Sequence, residues 1–166
     1  MTRLHYLWIA LAVVLADQAA KALVVARFSY DTAIPVIPGL FRLVRVENRG
    51  IAFGILSDSS SPWTAAILIL VSLAAMVLVG TLLWQNHPSA RLAGTGLALI
   101  LGGAAGNLVD RITRGWVVDF LDFYVGAYHW PAFNLADSAI VIGAGILLWD
   151  LLLTRPARCK TVMSDK

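Results

Sequence analysis

Charged residues are scarce in this chain. They make up 14% of its 166 residues, whereas hydrophobic residues make up 59%, and the mean hydropathy is +0.77. An ordinary soluble domain contains about 25% charged residues. The apolar residues also fall in long runs that a globular core of this size could not hide from water. These features exclude a water-soluble fold and predict a single membrane domain over residues 1–166.

Cysteine is almost absent as well. Because Cys159 is the only cysteine, no internal disulfide can form. A metal site built from His129, Asp122 and Asp137 has no recognised ligand spacing, so no metal is predicted. A serine hydrolase using Ser138 and His129 would lack the Gly-x-Ser-x-Gly elbow. The net charge of +3 comes from scattered basic residues rather than from one stripe, which argues against nucleic acid as a partner.

Four apolar segments are long enough to cross a bilayer, which takes about 20 residues of helix. The second is the clearest, because it contains no charged residue and has an indole at each end, where aromatic belts lie. The first could pass for a cleaved signal peptide, but apolar sequence resumes from Ala22 to Ala26 and favours a retained helix. The predicted spans cover residues 4–28, 63–84, 92–110 and 135–153.

Two polar, turn-rich segments, residues 29–62 and 111–134, connect these spans and belong in water or at the membrane surface. Phe41 to Glu47 alternates in polarity and predicts a short strand. The second connection is broken by glycines and a proline and predicts one short helix, strand or loop. The predicted fold class is therefore an all-α integral membrane protein: a four-transmembrane-helix bundle with a small extracytoplasmic β-rich segment and a short interfacial helix or loop.

The third span contains a Gly-x-x-x-Gly pair, Gly102 and Gly106, which allows close backbone packing and predicts the central helix of the bundle. An even number of spans places both termini on one side. Six basic residues fall on each side of the membrane, but the terminal side is shorter and therefore has the higher density. This predicts cytoplasmic termini and extracytoplasmic connections.

Ionisable groups lie inside the predicted spans, where each costs about 2.5 to 3.5 kcal/mol. Asp17 and Lys21 are one turn apart on one helical face. At about 1.5 Å per residue, Asp17 lies roughly 20 Å from the cytoplasmic end of its helix, in the outer half of the bilayer. Two further clusters of polar residues lie near the same level: Asn107, Asp110 and Arg111 at i, i+3 and i+4, and Asn134, Asp137 and Ser138 with the same spacing. Any one of the three clusters alone is typical of a buried hydrogen-bond network that fixes helix packing.

The side chains at this level include carboxylates, amides and an arginine but no thiol. Two carboxylates that share one proton are sufficient for hydrolysis, one acting as base on a water and the other polarising a carbonyl. Asp119 lies between Val118 and Phe120, and Asp137 stands at a helix entrance, so both are partly desolvated. We therefore predict Asp119 and Asp137 as the catalytic pair.

Five segments resemble the lipoprotein signal peptidases (signal peptidase II), and the similarity extends across all four spans. Ile51 departs conservatively from an alanine that is often found in the second segment. The five segments, in chain order, are Asp17–Lys21, Asn48–Gly54, Gly102–Arg111, Val117–Phe120 and Phe133–Ser138.

The resemblance implies that Asp119 and Asp137 are catalytic. It also implies a diacylglyceryl-modified prolipoprotein substrate, cut on the amino side of its lipidated cysteine, with membrane lipid around the site. The resemblance also implies inhibition by cyclic peptide antibiotics. It implies no metal and no organic cofactor. The implied location is the bacterial cytoplasmic (inner) membrane, with the active site towards the outer leaflet. Supporting or substrate-binding roles fall on Asp17, Lys21, Asn48, Gly50, Asn107, Asp110, Arg111, Asn134 and Ser138.

Two other classes of protein fit parts of the pattern. A small four-helix transporter or channel subunit would use Asp17, Lys21 and Asp137 to relay protons or bind a cation. It predicts polar groups along a path through both leaflets, whereas here only Asp150 lies near the inner end. A non-enzymatic assembly subunit would explain the glycine pair but leaves Asp119 without a role.

Overall fold

The computed structural model describes residues 2–50, 62–87 and 89–153. Residues 51–61, with most of the second family segment, and residues 154–166, with Cys159, lie outside the described residues. The elements, in chain order, are α1 (Arg3–Arg27), β1 (Ala33–Ile37), β2 (Phe41–Asn48), α2 (Pro62–Gln85), α3 (Arg91–Thr113), β3 (Val117–Val125), β4 (Tyr128–His129) and α4 (Leu135–Leu153).

Each predicted span coincides with one helix, and all four helices are long and apolar enough to cross a membrane. Every boundary lies within one residue of the prediction except the end of α3, which continues three residues further, to Thr113. A helix satisfies its own backbone and therefore need not stop where hydrocarbon ends. Arg114 caps the end of α3, because its N–H donates to the Asp110 carbonyl at 2.8 Å, and Gly115 follows with φ of 82°.

The prediction that the third helix is central is confirmed. α3 packs against α1, α2 and α4, and 50% of its span is buried, compared with 22% or less of the other three. Its glycines permit this packing. A Cβ at Gly102 would lie 2.7 Å from the Ala10 carbonyl oxygen of α1, and one at Gly103 would overlap the Ala136 carbonyl oxygen of α4.

The two connections meet in one antiparallel sheet with the strand order β1-β2-β3-β4. The strand predicted in the first connection is present as β2. In the second connection, the residues that follow α3 form β3 and β4, so the strand is the predicted alternative that is present. The reason is tertiary: Val118 and Phe120 bury their side chains against Val24 of α1 while β3 pairs along β2. The sheet therefore lies directly on the ends of the helices.

Candidate active site

Asp119 and Asp137 line the same cavity, of about 880 Å³, between the sheet and α4. Asp119 lies in β3 and is 2% exposed, and Asp137 lies in the first turn of α4. The cavity is also lined by three other residues of the predicted site, Asn48, Arg111 and Ser138. The structure thus brings together side chains from β2, α3, β3 and α4 that are distant in the sequence.

Asn134 contacts both aspartates. Its Nδ2 donates to Asp119 Oδ1 at 2.7 Å, and its backbone N–H donates to Asp137 Oδ2 at 3.3 Å. Its own Oδ1 accepts the Asp137 N–H at 2.9 Å, so Asn134 also caps the start of α4. Because Asn134 is fully buried, these bonds do not compete with water. One residue therefore fixes the placement of one carboxylate relative to the other.

The second oxygen of Asp119 is held from β2. Asn48 Nδ2 donates to Asp119 Oδ2 at 3.0 Å, and the pairing of Val46 with Asp119 sets the register that brings them together. The Gly50 N–H donates to Asn48 Oδ1 at 3.0 Å and fixes which way the amide points. Both Asp119 oxygens thus accept hydrogen bonds from amide groups.

Asp137 is held from α3. Asn107 Nδ2 donates to Asp137 Oδ1 at 2.7 Å, and one turn later Arg111 lines the cavity. Among the described residues, Arg111 donates one long hydrogen bond, from Nη1 to the Asn107 carbonyl at 3.5 Å. Its guanidinium therefore keeps donors available to a bound peptide.

The environment of Asp119 favours its protonated form. Burial is the largest cause, and the nearby Asp137 charge adds to it, so that the pKa of Asp119 is raised to about 7. The hydrogen bonds from Asn48 and Asn134 act in the opposite direction, and burial outweighs them. Near neutral pH this carboxyl can therefore hold a proton or release it.

The other predicted residues lie beneath the cavity or at its edge. Asp17, Lys21 and Asp110 are fully buried and do not line the cavity, so a bound substrate would not touch them. Ser138 lines the cavity, but its hydroxyl donates to the Asn134 carbonyl at 2.9 Å.

The serine and metal alternatives gain no support from the contacts. His129 Nδ1 lies 3.0 Å from Asp122 Oδ2, which also accepts from Arg42 at 2.6 Å, on the sheet. Asp137 and Ser138 belong to the separate network around Asn134. Among the described residues, no group of three or more His, Cys, Asp and Glu side chains is placed to hold a metal ion.

One wall of the cavity was missed by the sequence analysis. It consists of Trp130 to Phe133, and Glu47 of β2 also lines the cavity. Phe133 is held by backbone hydrogen bonds to Leu121, at 2.8 and 3.0 Å. This pairing is an isolated bridge, and a single bridge leaves no alternating pattern in a sequence. The aromatic and proline content of residues 130–133 was the only feature of the sequence that could have indicated this wall.

Among the described residues, four helices are long and apolar enough to cross a membrane, and a cavity beside them is lined by two carboxylates, an arrangement that suits a membrane-embedded hydrolase. Solved structures of bacterial membrane enzymes share this fold. One has a TM-score of 0.80 and 28% identity over 89% of this chain and 87% of the other. A second solved structure is 24% identical and has a TM-score of 0.80, and the match covers 91% of this chain and 94% of the other.

The family model of signal peptidase (SPase) II matches residues 9–153. A lipoprotein signal peptidase of Solibacter usitatus is 50% identical over 86% of this chain and 85% of its own length. A lipoprotein signal peptidase of Paraburkholderia phymatum is 47% identical over 89% of this chain and 87% of its own length. The chain belongs to the signal peptidase II family, and it is a bacterial membrane peptidase.

Proposed function

We propose that this peptidase removes signal peptides from bacterial prolipoproteins by aspartic catalysis, with Asp119 and Asp137 as the catalytic pair. Membership of the signal peptidase II family carries the peptidase activity and the prolipoprotein substrate, and it argues against the transporter or channel alternative. The observation that carries the aspartic mechanism is the pair of hydrogen bonds from Asn134 to Asp119 and Asp137 inside one cavity.

In the proposed reaction the two carboxyls share one proton. Ionised Asp137 takes a proton from a water, whose oxygen attacks the scissile carbonyl carbon. Protonated Asp119 donates to the carbonyl oxygen. Asp137 then gives the proton that it took from the water to the leaving nitrogen, and Asp119 recovers its proton as the carbonyl re-forms and the peptide bond breaks. Arg111 and Asn48, at the cavity wall, hold the extended peptide by its backbone. The raised pKa of Asp119 supports giving it the acid role.

The cavity opens towards lipid along α4. Ile140, Val141 and Ile142 line it, and Val141 is 71% exposed on a helix that can span the membrane. A cysteine that carries diacylglycerol would be anchored at this depth, which confines both reactants to one layer. The proposal therefore includes a lipidated substrate cut on the amino side of that cysteine, and a site facing the outer leaflet of the inner membrane with both termini cytoplasmic. A cyclic peptide that resembles the bound substrate would occupy the same cavity.

Lipidation of the substrate is expected to raise the cleavage rate by at least about tenfold, because it places the scissile bond at the depth of the site. The test is to reconstitute the protein in liposomes with a prolipoprotein, and with the same prolipoprotein lacking only diacylglycerol. Mass spectrometry of the products should place the cut immediately before the cysteine. Equal rates on the two substrates would remove the lipid from the proposal, and a cut elsewhere would contradict the assigned specificity.

The pH dependence of kcat/KM should report the proton on Asp119. Since its pKa is raised to about 7, the acid is present below that pH and is lost as pH rises through it. We expect kcat/KM to fall above a pH near 7, approaching about tenfold per pH unit. The measurement is kcat/KM between about pH 5 and pH 9 in liposomes. A rate that instead rises through pH 7 would assign the base to Asp119.

A further inference from the structure

Lys21 is fully buried below the cavity and surrounded by acceptors. Its Nζ lies 2.8 Å from Asp17 Oδ2, 2.9 Å from Asp110 Oδ2 and 2.9 Å from Asn107 Oδ1. An ammonium has three protons, so these three acceptors use all of them. Lys21 also does not line the cavity. It therefore has no donor left for a substrate, although a cation in a membrane helix usually marks function.

The first acceptor connects Lys21 to α4. While Asp17 Oδ2 accepts from Lys21, Asp17 Oδ1 accepts the Ala136 N–H at 3.0 Å. Ala136 is fully buried and immediately precedes Asp137. The position of the α4 backbone at Asp137 is thus set by a carboxylate that Lys21 holds in place.

The second acceptor connects Lys21 to β3 in the same manner. Asp110 Oδ2 accepts from Lys21 and also accepts the Val118 N–H at 3.2 Å. Val118 is fully buried and immediately precedes Asp119. The backbone before each aspartate is therefore anchored to a carboxylate, and both of these carboxylates contact one ammonium.

The third acceptor leads directly to a carboxyl of the pair. Asn107 Oδ1 accepts from Lys21 and from Asn134 Nδ2 at 3.2 Å. With its oxygen held there, the Asn107 amide must direct its Nδ2 at Asp137 Oδ1, which lies 2.7 Å away. The hydrogen bond from Lys21 thereby orients the Asn107 amide so that its NH2 group, and not its oxygen, faces Asp137.

The geometry points to Lys21 as a positioning residue, whose ammonium sets the separation of Asp119 and Asp137 through the three acceptors around it. This inference rests on the proposed function of the two aspartates. The partly exposed Arg114 balances the remaining charge, because its Nη1 pairs with Asp110 Oδ1 at 2.8 Å. The fully buried members, Lys21, Asp17 and Asp110, hold one another in one arrangement.

The test uses a charge-matched double variant, Lys21→Met with Asp17→Asn, in liposomes with the lipidated prolipoprotein. Asn at position 17 can still accept the Ala136 N–H, so the variant removes the ammonium without leaving an extra buried charge. We expect kcat to fall by about 100-fold while KM stays within about threefold, since a displacement of about 1 Å at a reacting group costs that much. Size-exclusion chromatography and thermal unfolding report whether the variant is folded.

Arg114→Gln is the matched control, because it also removes a cation from Asp110 but leaves Lys21 and its acceptors in place. Its kcat should stay within about threefold of the unsubstituted protein, as expected for a partly exposed ion pair. If kcat falls as much in Arg114→Gln as in the double variant, the loss comes from removing a charge near Asp110 rather than from Lys21, and the inference is overturned. An unchanged kcat in the folded double variant would also overturn it, as would a rise in KM alone, which would mean that Lys21 binds substrate.

If the double variant does not fold, Lys21→Arg carries the test, because it keeps the positive charge but cannot place one nitrogen within hydrogen-bond distance of all three acceptors. A lower kcat at constant KM supports the inference, and an unchanged kcat overturns it. Asp119→Asn, measured in the same assay, separates the two hypotheses. If Asp119→Asn is active, the proposed catalytic pair fails, and the positioning role fails with it. If Asp119→Asn is inactive while the folded Lys21 variant is fully active, only the positioning role fails.

Discussion

Replacing either Asp119 or Asp137 by asparagine is expected to reduce cleavage of a lipidated prolipoprotein by about 10⁴-fold. Asparagine has nearly the same shape as aspartate and preserves one acceptor oxygen, so the fold should be maintained. It cannot take or give the proton that the reaction moves. The measurement is single-turnover cleavage in liposomes, with each variant compared at equal amounts of folded protein.

Asp122→Asn is the matched control for this experiment. Asp122 lies on the same strand as Asp119, three residues further on, and is almost as buried. Its carboxylate pairs with Arg42 and His129 rather than lining the cavity. We expect its rate per folded molecule to stay within about threefold. An active Asp119 or Asp137 variant, or an equal loss in the control, would refute the catalytic assignment.

Gly103→Ala should destabilise the protein by about 3 kcal/mol and remove most of its activity. The added Cβ would overlap the Ala136 carbonyl oxygen and lie 2.8 Å from Ile140 Cγ1. The first of these neighbours is backbone and cannot rotate away, so α3 and α4 must separate. Because Ala136 adjoins Asp137, the separation would also move a carboxyl of the proposed pair. Thermal unfolding in detergent and the cleavage rate at low temperature measure the two effects.

Gly80→Ala provides the comparison, since a Cβ there would meet no atom within 4 Å. Gly80 lies within α2, so the change should be neutral or stabilising by up to about 1 kcal/mol, from helix propensity alone. If Gly103→Ala were as well tolerated as Gly80→Ala, the close contact between α3 and α4 would not constrain the site.

Hydropathy predicted the helices well because membrane spans are set by the local composition of about 20 residues. The strand β3 was harder to predict because its stability depends on non-local contacts. Val118 and Phe120 become a buried face only once α1 and β2 are in place. The sequence of 111–134 alone could not choose between helix, strand and loop.

The candidate site was largely visible in the sequence because polar residues inside membrane spans are costly and therefore conspicuous. Helical spacing grouped Asn134 with Asp137, and Asn107 with Arg111. It could not show that the Asn134 side chain reaches across to Asp119, because that contact depends on where the fold places β3 relative to the start of α4. The pairing of Asn48 with Asp119 likewise depends on the register between two strands.

The central claim is that Asp119 and Asp137 act as one catalytic unit, and a double variant tests it most directly. Single-turnover cleavage should be measured for Asp119→Asn, Asp137→Asn and the variant carrying both substitutions. Groups that act as a unit show strongly non-additive losses. We predict that the double variant retains about the same residual rate as either single variant. A double variant whose loss is the product of the two single losses would contradict the account.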